Sequence, residues 1–259
     1  MTEPLSAELA ANLIRFCENR SRVYALLSRC FEKELDAAFA QQLAACDAYS
    51  FDDPALDAAV SARGSDVADL DERALEQLAV VFDRVFFGMG PRTAQKAFPY
   101  ESVYTSEGGL MMQDAYGEVL NVYRGAGFAK NPGFKEPEDH LAVELAFMAL
   151  LCGRAVEALR AGDADGAERQ LRAQLAFVQD HLLNWIERFA ADMRKAAEGG
   201  FYFDLAAFTE RFLNADAAQL SAVLAPHVRP NGPCFPSNTT LVIEGRARQS
   251  HLTKSRAPP

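Results

Sequence analysis

The sequence predicts an all-α fold: a single helical-bundle domain of about nine helices, in two helical halves joined by a loop near residues 127–137. Three observations lead there. Apolar residues recur every three or four positions through most of the chain, no stretch alternates with period two for long enough to make a sheet, and 49% hydrophobic content over 259 residues supplies a real core.

Leu9, Leu13, Phe16, Arg20, Tyr24, Leu27 and Phe31 mark one face of a long helix over 6–33. Leu35, Phe39, Leu43 and Cys46 give a second, and Leu75, Leu78, Val81, Phe82, Val85 and Phe86 a third, ended by Gly88-Met89-Gly90-Pro91. Residues 88–108 follow neither period, yet Phe98, Tyr100, Val103 and Tyr104 are too apolar to leave in water, so an ordered loop is expected. Helix is expected again over 109–126 and, after a break from Gly127 to Pro137, through Leu151. A long helix follows on Leu171, Leu175, Val178, Leu182, Ile186, Phe189 and Met193. Two short ones follow, on Leu205, Phe208 and Phe212 and on Leu220 and Leu224. The halves then cover about 1–126 and 138–225 of one 1–225 domain.

The last 34 residues differ in kind. Residues 226–259 hold six of the twelve prolines, and four Arg and one Lys against one Glu make this tail +4 and leave the rest at −14 of the net −10. Such a composition buries too little apolar surface to offset ordering entropy, so a disordered tail is expected. The acidic balance argues against a nucleic-acid partner, which needs clustered Lys and Arg. No apolar run approaches the length of a membrane span, and the N-terminus opens acidic without the pattern of an export signal, so the expected location is cytoplasmic. Cys17, Cys30, Cys46, Cys152 and Cys234 form no metal-type or redox-type pair and read as reduced core thiols.

The stretch EPEDHLAVELAFMALL, residues 136–151, sets charge directly against an apolar run. Pro137 suits a first helical position, and Glu138 and Asp139 favour the positive end of the helix dipole. His140 stands one turn before Glu144 on a helix otherwise apolar nearly all round, which places its charged mouth at the rim of a core where a cleft could form. Taken alone, the pattern favours a structural, hydrogen-bonded histidine over a functional one. Four histidines at 140, 181, 227 and 251 give no metal-ligand pair, no nucleophile or phosphate-loop motif occurs, and no catalytic residue or cofactor is expected.

Three motifs in order carry a resemblance. Arg20-Ser-Arg-Val-Tyr24-Ala-Leu-Leu27-Ser-Arg-Cys-Phe31, then Phe86-Phe87-Gly88 ahead of Pro99-Tyr100-Glu101-Ser102-Val103-Tyr104, then Glu136-Pro137-Glu138-Asp139-His140 resemble the TorD/DmsD family of maturation chaperones for molybdenum-cofactor oxidoreductases. The similarity spans roughly residues 9–225. It implies an all-helical, non-enzymatic cytoplasmic chaperone. Its partner would be the twin-arginine leader of a molybdopterin oxidoreductase catalytic subunit, held until the cofactor is inserted. The family's peptide-binding residues fall on Tyr24, on Pro99, Tyr100 and Glu101, and on Pro137, Asp139 and His140; the neighbouring Tyr104, Glu136, Glu138 and Glu144 complete the expected site. The basic tail and the single tryptophan, Trp185, depart from the family pattern.

Physical chemistry supports the same partner. Two adjacent guanidinium groups followed by an apolar segment call for carboxylates beside an aromatic and aliphatic groove. Two other readings stand beside it: a nitrate-reductase-type assembly chaperone acting on a non-exported subunit, and a small helical enzyme or nucleotide-binding protein using the 136–144 cluster. A monomer or a domain-swapped dimer is expected, the swap running through the 127–137 segment.

Overall fold

A computed structural model describes residues 6–44, 67, 70–89 and 96–225. Among them the regular structure is nine α-helices, two continued by a π-helical turn, with one isolated β-bridge and no longer strand. Helix α1 (Ala7–Glu32) begins where the Ser6 hydroxyl accepts from the Leu9 N–H at 3.2 Å, and it buries Leu13, Arg20, Tyr24, Leu27 and Phe31 of the expected stripe. The Asp36 carboxylate accepts from the Phe39 N–H and opens α2 (Ala37–Ala44). Asp71 caps α3 (Glu72–Phe82), which runs into a π-helical turn over Asp83–Phe87 and stops at Gly88, whose φ of 67° is a left-handed geometry that glycine adopts freely.

Five short and long elements complete the bundle before the last helix: α4 (Glu101–Thr105), α5 (Asp114–Gly125), α6 (Leu141–Arg160), α7 (Ala164–Phe177) with a π-helical turn over Val178–Leu182, and α8 (Ile186–Ala197). The last helix is α9 (Gly200–Leu224). Helix α1 lies along α6, α6 against α7, and α9 against α8 and α7. One core therefore runs across the 127–137 connection, joining Tyr24 and Phe31 of α1 and Tyr123 of α5 to Phe147 of α6, Phe189 of α8 and Leu213 of α9. Ser21 and Ser28 fasten the seam by donating to the Ala149 and Ala142 carbonyls of α6, at 3.0 and 2.7 Å. Among the described residues no helix is long and apolar enough to cross a membrane.

Helix α6 runs on to Arg160 rather than ending at Leu151 and α7 starts at Ala164 rather than Leu171, and four further boundaries differ from the sequence expectation for a tertiary or backbone reason. Residues 101–105, expected in loop, are helical because a carboxylate far along the chain caps them. Helix α5 starts at Asp114 rather than 109, since Gly109 and Met112 take left-handed φ of 61° and 58°. The helix expected over 171–193 breaks at Leu183–Trp185, where Trp185 leaves helical geometry and its ring N–H donates to the His181 carbonyl at 2.6 Å. The two short C-terminal helices are one, because the charged residue between their apolar patches, Asp216, is neutralised inside the core. Cys46, Cys234, part of the 88–108 loop and the 226–259 tail lie outside the described residues.

That neutralising partner is Arg20, the charged residue on the apolar face of α1. Its guanidinium grips both oxygens of Asp216 and also donates to Gln174 of α7; Tyr24 donates to Asp216 at 2.6 Å, and Gln174 donates to the Leu151 carbonyl of α6 at 3.0 Å. Arg20 is 5% exposed and Asp216 2%, so α1, α6, α7 and α9 meet on one dry ion pair. Cys17 and Cys152 lie beside it, and burial pushes their thiols up to about 11 and about 12. Arg20→Ala, which strands Asp216, is expected to cost about 3–5 kcal/mol in urea unfolding. The double variant Arg20→Met/Asp216→Leu is expected to recover most of that loss, because it removes both desolvated charges together.

Candidate functional site

Two segments from opposite sides of the 127–137 connection are sewn together. The Leu141 N–H donates to the Pro99 carbonyl at 2.8 Å and the Glu101 N–H to the Asp139 carbonyl at 3.0 Å, making the antiparallel bridge between Tyr100 and His140. A third bond completes the clamp: the Asp139 carboxylate accepts from the Ser102 N–H at 3.0 Å and so caps α4. Asp139 is fully buried, with its other carboxylate oxygen unbonded, and it does not stand at the rim where a helix-mouth carboxylate was expected. Its side chain is occupied in holding α4.

His140 is the N-cap of α6. Its Nδ1 accepts from the Ala142 N–H at 3.1 Å, which leaves the ring proton on Nε2. Burial, with the Lys130 charge adding to it, brings this imidazole down to about 3, so it is neutral at physiological pH. The ring stands edge-on to Tyr100 and Phe134, with centroids 5.1 and 5.0 Å away. The histidine is thus structural in its bonding, but its ring also forms part of a pocket wall.

That pocket is an aromatic slot of about 50 Å³. Phe31, Phe82, Phe86, Phe87, Phe134, Pro99 and Tyr100 line it, together with Glu32, Glu136 and His140. Tyr100 donates its hydroxyl to Glu136 at 2.5 Å; burial and that bond raise the phenol above its ordinary value, so it remains a donor. Through Glu32, Phe82 and Phe87 the slot adjoins a wider depression of about 410 Å³ walled by Glu32, Lys33, Glu34, Leu35 and Asp36. Phe87, which lines both, is 56% exposed. Glu138 pairs with Lys130 at 3.5 Å, Lys130 also bonds the Glu136 carbonyl, and the Glu138 carbonyl accepts from Tyr123 at 3.3 Å.

Behind the slot lies a second acidic group. Glu101 is 1% exposed, accepts from Asn184 at 2.6 Å and faces His181 Nδ1 at 3.1 Å. Glu144 is fully buried facing Glu101 and Trp185, with neither of its oxygens in good hydrogen-bonding geometry. Burial first, then the Glu101 and Asp139 charges, hold its carboxyl well above the usual range, so it stays protonated.

The structure brings Pro99, Tyr100, Glu101, Glu136, Pro137, Glu138, Asp139, His140 and Glu144 to one place. Tyr24 is elsewhere, in the Arg20 clamp, and Tyr104 stacks on Trp185 at 5.6 Å with its hydroxyl 3.4 Å from Asp192. Of the slot residues, Phe31, Phe82, Phe86 and Phe87 were read only as helix-face or motif residues and Phe134 and Glu32 were not singled out; His181 was read only as a histidine without a metal-ligand pair, and Asn184 not at all. A crowding of four aromatics within 82–87 and 98 was the one local signal. Among the described residues no group of three or more His, Cys, Asp or Glu could hold a metal ion.

Comparison with known proteins agrees with this architecture. A family model described as "Nitrate reductase delta subunit" matches residues 32–191. The chain is 32% identical over 213 residues to a protein named Chaperone protein TorD from Photobacterium profundum, covering 80% of this chain and 96% of that one. It is 30% identical over 233 residues to the protein of the same name from Shewanella loihica, covering 86% and 100%, and 29% identical over 216 residues to that from Shewanella piezotolerans, covering 78% and 93%.

The buried acid makes a pH prediction. Glu144 keeps its proton when folded and releases it on unfolding above its ordinary 4.5, so its presence lowers folded-state stability progressively as pH rises from there. His140 acts oppositely: protonated below 6.5 when unfolded but neutral down to about 3 when folded, it costs stability as pH falls through 6.5. Glu144→Gln is therefore expected to gain more stability over the parent at pH 8 than at pH 5 in parallel urea titrations. An equal difference at both values would show that Glu144 is ionised in the core.

Proposed function

The chain belongs to the TorD/DmsD family of redox-enzyme maturation chaperones, the group matched by the nitrate reductase delta subunit model, and from that premise we propose that it is a cytoplasmic, non-enzymatic chaperone binding the twin-arginine leader of a molybdenum-cofactor oxidoreductase. It holds the apo client until its cofactor is inserted and export can follow. The observation that carries this reading is the aromatic slot with Glu136 and Glu32 among its walls. A guanidinium can lie flat on a phenyl ring and still meet a carboxylate in two parallel hydrogen bonds, which an ammonium cannot do. In this reading one arginine enters the slot and the second meets Glu32 and Glu34 in the depression beside it. The body's charge of −14 before residue 226 draws a cationic leader in and is screened by salt.

Asp139 and His140 enter this reading as positioning residues. They fix Tyr100, α4 and the start of α6, and so shape the slot wall that the peptide meets. The description of the matched family favours a second reading, in which the client is a nitrate-reductase-type subunit recognised without an exported leader.

Calorimetric titration with a twin-arginine leader peptide and its Lys-Lys variant separates the two. The arginine peptide is expected to bind at about micromolar affinity and at least tenfold more tightly than the lysine one. Glu136→Gln is expected to lower the arginine peptide's affinity by about tenfold, since one charge-assisted contact is removed, while the melting temperature changes little. Equal binding of both peptides, or none, removes the leader-binding reading and leaves the nitrate-reductase type.

A further inference from the structure

The connection from α4 to α5 presents three apolar side chains to water on a backbone held in a single shape. Leu110, Met111 and Met112 are 59, 39 and 56% exposed. The Leu110 N–H donates to Ser106 Oγ at 3.1 Å, the Met112 N–H to Ser102 Oγ at 3.0 Å, and the Gln113 side chain to the Met111 carbonyl at 3.0 Å. Met112 takes a left-handed φ of 58°, a conformation costly for a side chain of its size and kept only where the surroundings impose it. A pinned, strained loop with three apolar residues outward is a built surface, because a slack loop would turn them in.

Charge indicates what covers it. Residues 97–123 carry Glu101, Glu107, Asp114 and Glu118 and no Lys or Arg, and all but Glu101 are exposed. An apolar tip flanked along the chain by the exposed Glu107, Asp114 and Glu118 repels acidic segments and accepts an apolar one attached to cations. Methionine suits apolar partners of varied sequence, since its side chain adapts to their shape. The platform is also tied to the slot. Tyr100 is in the slot wall, Ser102 is two residues on, and the same Ser102 holds Met112 through its hydroxyl and Asp139 through its N–H.

We propose that Leu110, Met111 and Met112 form the docking platform for the apolar stretch of the leader whose arginine enters the aromatic slot. This rests on the leader-binding reading above. It assigns the two parts of one peptide to two places joined by Ser102.

Two peptides test it: a complete twin-arginine leader, and one that keeps the arginine pair but replaces the apolar stretch by Gly and Ser. In spectra of the methyl-labelled full chain, the Met111 and Met112 methyl signals are expected to shift with the complete leader and not with the truncated one. The variant Leu110→Ser/Met111→Ser/Met112→Gly, in which glycine tolerates the left-handed backbone, is expected to lose about tenfold in affinity for the complete leader. It should bind the truncated peptide as the parent does and melt at the parent's temperature. Unchanged affinity of this variant for the complete leader, or unmoved methionine signals while the leader binds, overturns the platform and leaves leader binding standing. Equal loss of both peptides also overturns it. Failure of the parent to bind either peptide overturns both readings.

Discussion

The three hydrogen bonds between residues 99–102 and 139–141 are the constraint on which the rest of the site depends. They join a segment before the 127–137 connection to one after it, and each atom involved is unavailable to water, so leaving any unmade would carry the full desolvation cost of a buried polar group. From this pairing follow the orientation of Tyr100 toward Glu136, the start of α6 at Leu141, and the existence of α4 as a helix at all. A carboxylate at 139 is needed because α4 is too short to form alone and its first N–H groups point at that position. A histidine at 140 supplies a neutral acceptor for the α6 terminus and a flat ring for the slot, which an aspartate cap would fill with charge instead.

The acidic groups then divide by depth. Glu32, Glu34 and Glu136 stay at or near the surface, where their charge is available to a cationic partner, while the exposed Asp36 is already paired with Arg29 and Lys33. Glu101 is buried but bonded to Asn184 and faces His181, whereas Glu144 is buried without good hydrogen-bonding geometry and stays neutral. A poorly bonded acid in a dry core destabilises the fold, so its place between Glu101 and Asp139 is a local violation of good packing of the type that recurs at functional sites. The His140 ring is itself part of the aromatic slot's wall. The site is therefore layered, with surface carboxylates outside, rings in the middle and a protonated acid behind.

The Arg20 clamp shows how a polar network can specify a core. Four helices converge on one ion pair whose charges are desolvated together. Such a pair adds little net stability over apolar residues of the same shape, but it tolerates only one register of the four helices. Tyr24 belongs to this network, so its contribution to peptide binding would be through the packing of α1 rather than contact.

The amino-acid sequence by itself determined the helical class, the face of α1, the buried nature of α6 and the two motifs that meet at the site, because each of these is written in local periodicity or in a run of adjacent residues. It also named nine of the residues that come together, though not the partners that hold them. Only the tertiary structure decided that Asp139 is interior, that Asp216 lets one helix run where two were read, and that Phe31, Phe82 and Phe134 share a cavity. Those outcomes depend on contacts between residues tens to nearly two hundred positions apart. A hydrogen bond across such a span leaves no periodic trace, since neither partner's neighbours along the chain need to change to accommodate it.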